Sequence, residues 1–284
     1  MLEAFDGVMS AVLGAIVTLI GTAPHEFSSQ AFGLTAALGS AFTDVGIGLY
    51  VLFFSIDLTA STISLKAKNK EEMFRLLLMF LLGAILIQAS FPLALYIFSQ
   101  FQGMTSDLAN ALNTGPDMSA SFESFTENVR EMIEERSGAR YVLDNTANMV
   151  LFFILIMFFL SMFGLLLSVL LVPIVMFLEL FAYSAFSPLP LSTLCTSQRA
   201  IAISFLKAYV SVCIRALVII FSLHLSMAIL SENSIIGGIF EGIVLDGILL
   251  LLVPVMQILI SIMIIKSGIT GAERFSRTIV GMGG

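Results

Sequence analysis

Few residues of this chain have the chemistry to act on a substrate, and their types narrow what that chemistry would be. Two histidines and two cysteines are present, which leaves little room for general-base or metal work. Cys195 and Cys213 match no zinc spacing, and the reading for such a pair is two free thiols rather than a disulfide framework. His25 lies in a Thr-Ala-Pro-His-Glu break and reads as a solvated loop residue; His224 reads as a hydrogen-bonded helix residue. HExxH, GxSxG, GxxxxGK[ST] and CxxC are all missing. The sequence points away from an enzyme and implies no cofactor and no metal.

Acids and bases placed within apolar stretches are the more informative group. Asp44 and Asp246 occupy separate apolar stretches, as the two acids of an intramembrane aspartyl protease would. Their settings, Thr-Asp-Val and Leu-Asp-Gly, lack the tyrosine- and glycine-flanked motifs of that chemistry. Both acids, with Glu241, read as solvated or capping groups near a membrane boundary. Asp57 precedes Lys66 by nine residues, and Arg215 follows Lys207 by eight. At about 1.5 Å per residue they stand ~13 Å and ~12 Å from those basic markers. A charge at bilayer depth is costly unless it is paired or hydrated. The expectation is an ion pair between Asp57 and Arg215 near the midplane, either as a packing pair or lining a conduit.

The elements that would position these groups are set by hydrophobicity. The chain has 284 residues, of which 58% are hydrophobic, the composition of a polytopic membrane protein. Tryptophan is absent, so an aromatic belt must rest on five Tyr and some of 25 Phe. Met149 to Ser184 holds a single charge, Glu179. The run is nearly twice the ~20 residues needed to cross a ~30 Å hydrocarbon core. Val172-Pro173-Ile174 supplies no Gly, Asn or Asp for a tight turn. One crossing, 149–171, is therefore predicted, with Pro173 bending the helix and Glu179 facing cytoplasmic headgroups.

The expected architecture is all-α, with about five transmembrane helices at 44–65, 76–98, 149–171, 201–230 and 243–265. An amphipathic helix over 1–22 precedes them, with apolar side chains at Leu2, Phe5, Met9, Val12, Leu13, Ile16 and Ile20. Gly46 and Gly48 thin the first span enough for a neighbour to approach closely. Lys66, Lys68, Lys70 and Arg75 mark a cytoplasmic turn. Arg199, Lys207, Lys266, Arg274 and Arg277 fall on the same side, giving an N-out, C-in chain. The main polar region, 101–146, carries eight acids and three bases, a net −5, and is assigned to the extracytoplasmic side. Within it Ser124-Phe-Thr-Glu127 reads as a capping box. Phe122, Phe125, Val129, Met132 and Ile133 form a stripe along the helix there, packed on the membrane or contacting a partner. Residues 185–199, with Pro188 and Pro190, read as an irregular cytoplasmic loop. No basic patch suits non-specific grip on nucleic-acid phosphates.

Two stretches carry a family resemblance. One is Thr43 to Leu58, TDVGIGLYVLFFSIDL; the other is Ala185 to Phe221, AFSPLPLSTLCTSQRAIAISFLKAYVSVCIRALVIIF. With the length and the five-span plan, they resemble the TrbL-type polytopic subunits of conjugative type IV secretion systems. The resemblance implies a non-catalytic channel or scaffold subunit in the bacterial cytoplasmic membrane. Its implied partners are membrane lipid, copies of itself, other channel subunits, cytoplasmic ATPases and, transiently, the DNA being transferred. Pro188, Pro190, Arg199 and Lys207 are then the candidate docking residues for the energising partners. The alternatives are a stand-alone secondary transporter or exporter of a small solute, and an assembly or immunity-type membrane protein. A transporter would normally show an internal repeat with matching broken helices; none is evident.

Overall fold

The computed structural model describes residues 2–64, 70–113, 145–231 and 248–281. Among these residues the chain is helical and has no strand. Among the described residues the helices follow in this order: α1 Leu2–Gly21, α2 Pro24–Phe27, α3 Ser29–Ser64, α4 Lys70–Gln88, α5 Ser90–Asn113, α6 Asn145–Phe186, α7 Pro188–Leu191, α8 Arg199–Ser231 and α9 Ile248–Ile279. Among the described residues three stretches are long and apolar enough to cross a membrane: Ser29–Ala60, Phe163–Phe186 and Arg199–Ser226. A fourth arises if Phe74–Gln88 and Ser90–Asn110, bent by 66° at their junction, count as one. The helix expected over 1–22 is α1. The stripe from Phe122 to Ile133 lies outside the described residues, as do the start of the expected span 243–265 and most of the 101–146 region.

Several boundaries differ from the sequence reading. α3 starts at Ser29, well before the expected start at residue 44. Its opening holds Thr35 and Thr43, whose hydroxyls donate to the carbonyls four residues back and so mask their polarity. The span expected at 76–98 is broken at Ala89. Pro92 has no N–H for the Gln88 carbonyl, and its ring clashes with that carbonyl, so the break falls one turn upstream. Ser90, buried, donates instead to the Ile87 carbonyl at 2.7 Å. α6 runs 42 residues through Pro173 without ending; at 1.5 Å per residue it is about 63 Å long. The helix contains both the expected span, 149–171, and Glu179 beyond it. α9 continues past Lys266 to Ile279 because Ile269, Ala272 and Ser276 keep one face buried.

The chain forms two compact units, each assembled from three separate segments. One comprises Met1–Gly21, Thr105–Ile174 and Leu217–Glu273. Its buried residues include Ile16, Ile20, Leu166, Val169, Ile219, Leu223, Ile262 and Ile269. Gly268 of α9 permits a close approach to α8: a β-carbon there would sit 3.1 Å from the Ser226 hydroxyl.

The other unit comprises Thr22–Met104, Val175–Ala216 and Arg274–Gly284. Here aromatic side chains lock helices together. Phe27 stacks on Phe177 at 4.3 Å, Phe42 meets Phe186 at 4.7 Å, and Tyr50 stacks on Phe80 at 5.5 Å. Two tyrosines also reach across to backbone carbonyls of neighbouring helices. Tyr50 donates to the Met79 carbonyl at 2.9 Å, and Tyr209 donates to Ala94, next to the Ala89 break. Ser211 and Ser276, both buried, approach to 3.3 Å, which ties the last turns of α9 into this unit.

Of the two glycines read as contact points, one is used. A β-carbon at Gly46 would lie 2.8 Å from the Pro188 carbonyl oxygen, whereas at Gly48 nothing lies within 4 Å. Gly46→Ala should therefore lower stability by about 1–3 kcal/mol, the usual cost of overpacking against backbone. Gly48→Ala should be neutral or slightly stabilising, because it removes glycine's entropy cost in a helix. Thermal unfolding of both variants in one mild detergent, followed by circular dichroism, checks the contrast.

Candidate functional site

The polar groups of the second unit gather where α6 ends, the chain turns, and α8 begins. Residues 187–198 make that turn. It contains α7 and a series of tight turns, and half of it is buried: Ser187, Pro188, Leu191, Ser192, Thr193 and Thr196 all lie inside. A non-helical backbone is tolerated among membrane helices only where the protein itself covers it and satisfies its polar atoms. Four hydroxyls are satisfied locally: Ser187 donates to Ser184, Ser192 to Leu189, Thr193 to Pro190 and Thr196 to Thr193, at 2.6–2.9 Å. Pro188 and Pro190 present no N–H that would need a partner. The sequence SPLPLST thus builds an elbow that can be buried without orphaned donors.

Asp57 of α3 closes the end of this elbow. Its carboxylate accepts the Ser197 backbone N–H and the Ser197 hydroxyl, both at 2.7 Å. Ser197 lies two residues before α8, so the acid also stands at the positive end of that helix. It serves as an N-terminal cap supplied from another helix.

Arg215 of α8 is 3% exposed and pairs with Glu179 of α6 through Nη2 and Oε2 at 2.9 Å. Glu179 is 33% exposed, so the pair reaches the surface through its acid. The Arg215 Nε has no partner in the described structure. One and a half turns from Arg215, Tyr209 packs edge-on against Tyr183, and the Ser184 hydroxyl is buried nearby. In the first unit His224 donates or accepts through Nδ1 at the Ile220 carbonyl, 2.9 Å away; this fits a hydrogen-bonded helix residue.

The expected Asp57–Arg215 pair is not formed. That expectation took Lys66 and Lys207 as marks of one level. The structure places Asp57 level with Ser197, at the foot of α8. Arg215 lies sixteen residues up the same helix from Arg199, or about 24 Å. The two charges stand at different heights, and each has its own partner. Glu179 and Ser197 are the residues that sequence reasoning missed. Glu179 had left a signal, as the sole charge in a long apolar run.

The docking residues separate in the same way. Pro188 is buried against Gly46 and Pro190 is half-buried, so the region is not an open loop. Arg199 and Lys207 are exposed. Asp44 is exposed on α3. No group of three or more His, Cys, Asp or Glu residues suited to a metal occurs among the described residues. Cys195 and Cys213 are free thiols, and burial pushes the Cys195 thiol above its ordinary value. None of these groups pairs a nucleophile with a base; the arrangement holds helices at fixed heights.

The chain matches no protein-family model, and comparison with curated proteins and with solved structures returned no similar one.

Removing one member of a buried ion pair strands the other. Glu179→Leu alone should cost about 3–5 kcal/mol, whereas the double change Glu179→Leu with Arg215→Met should recover most of it. Denaturant or thermal titration of the two variants measures the difference. Equal losses would show that the pair is not coupled.

Proposed function

We propose that this chain is a non-catalytic, multi-pass subunit of a membrane translocation channel, of the TrbL type found in conjugative type IV secretion systems. One observation carries the reading. The two stretches that bear the resemblance, 43–58 and 185–221, lie far apart in sequence yet pack directly on one another. Gly46 receives Pro188 and Asp57 caps Ser197. Residues 43–58 and 185–216 thus belong to one structural unit, which supports a scaffold role.

In this reading the chain crosses the bacterial cytoplasmic membrane five times, by α3, the bent α4–α5 pair, α6, α8 and α9. The N-terminus is outside and the C-terminus inside. The acidic 101–146 region faces outward and contacts other channel subunits. Its charge disfavours direct grip on DNA phosphates. The exposed Arg199, at the foot of α8, is the docking point for cytoplasmic ATPases. DNA and its attached protein pass through the assembled machine, and the ATPases supply the energy.

Deleting the chain from a mating-competent donor should reduce DNA transfer to background, and re-expression should restore it. Purification in mild detergent should yield a homo-oligomer or a complex with partner ATPases. A lone chain that binds a small solute, together with undiminished mating, would establish the transporter reading instead. Topology has its own check. Cys195 should be protected from an impermeant maleimide in intact cells and react in inside-out vesicles. Its raised pKa keeps the thiol protonated and slow at neutral pH, so labelling should accelerate as pH climbs into the alkaline range.

A further inference from the structure

Asp44 on α3 and Lys207 on α8 belong to the same unit, and both side chains are exposed. Neither has a hydrogen-bond or ion partner among the described residues. Each lies within a stretch long and apolar enough to span a membrane. A carboxylate and an ammonium turned toward acyl chains are both costly, and such groups are normally paired or hydrated.

Their heights can be compared through the elbow. Asp57 bonds Ser197 and so fixes a common level on the two helices. Gly48 is nine residues up α3 from Asp57, and Lys207 is eight residues up α8 from Arg199, so each stands ~12–13 Å above that level. Asp44 is about one turn higher than Gly48, ~6 Å, a distance an extended lysine side chain covers. The faces around the two charges are also matched in size. Ala41 and Gly48 flank Asp44 on the exposed face of α3, and Ala200 and Ser204 lie below Lys207 on the exposed face of α8. Small residues spaced in this way let membrane helices approach closely.

We propose that the occupant of the α3 face is a second copy of this chain, docked through the Ala200–Lys207 face of its α8. Lys207 of one copy pairs with Asp44 of the next. The contact uses two different surfaces, so it repeats around a ring rather than closing as a dimer. Charge complementarity decides the occupant: one exposed acid and one exposed base at reachable heights, each unpaired among the described residues. The proposal rests on the membrane placement argued above and adds the identity of the neighbour.

The test uses full-length chains with Cys195 and Cys213 replaced by serine, co-expressed with different tags. One copy carries Val51→Cys and the other Ser204→Cys, which leaves both charges in place. A short bifunctional thiol reagent applied to membranes should link the two tags. Copies that both carry only Val51→Cys, or only Ser204→Cys, should give little product. Asp44→Lys in the first copy should cut the yield about tenfold, as a lost pair and a new repulsion would. Lys207→Asp in the partner copy should restore it. Absent cross-linking, with both copies at normal levels in the membrane, overturns the proposal, as does cross-linking that ignores both charge changes. DNA transfer measured in the same cells separates the two questions. Normal, chain-dependent mating without the cross-link removes this contact and leaves the channel reading standing, whereas mating that is independent of the chain removes that reading as well.

Discussion

A buried arginine has no water to turn to, and the structure gives Arg215 an acid in its place. It is 3% exposed, and its one ion-pair partner, Glu179, comes from the preceding long helix. For the two to meet, α6 must continue through Pro173, and the chain must turn back at a set depth. That constraint explains why the connection between α6 and α8 is buried and well packed. A longer, floppier loop would let the helices slip along one another, and a slip of one turn would separate the charges.

The elbow is held at its depth by groups from α3. Gly46 admits the backbone of Pro188, and Asp57 takes both donors of Ser197. These contacts differ in character from the ion pair. The first depends on the absence of a side chain, the second on a carboxylate at the start of a helix. Together they set the heights of three helices without using a large polar surface. The aromatic contacts Phe42–Phe186 and Phe27–Phe177 then fill the space that the polar groups define.

Much of this was legible in the sequence. The apolar runs forecast the long helices, Gly46 was read as a close-contact position, and the Pro188–Pro190 segment was read as a break. The partners of Asp57 and Arg215 were not legible. Choosing them requires the height of each residue, and height depends on how far the 187–198 turn descends before α8 begins. Counting from basic residues put Lys66 and Lys207 at one level, whereas α3 and α8 meet through Asp57 and Ser197, and Ser197 lies ten residues before Lys207. The break at Ala89 was missed for a related reason. A proline acts on the carbonyl four residues before it, so the visible residue and the broken turn are not in the same place. The continuation of α9 past Lys266 follows from burial of Ile269, Ala272 and Ser276, a tertiary effect that overrides a charge-based stop.

The elbow also has a consequence for the order of assembly. Asp57 and its Ser197 partner are 140 residues apart in the chain. At about 5–20 residues per second, synthesis leaves roughly 7–28 s between the arrival of one and the other. Through that interval α3 carries a carboxylate without its Ser197 donors and a notch at Gly46 without Pro188. The acid and the notch that fix the elbow are thus completed only by the second half of the chain, so α3 reaches its final surroundings late in synthesis.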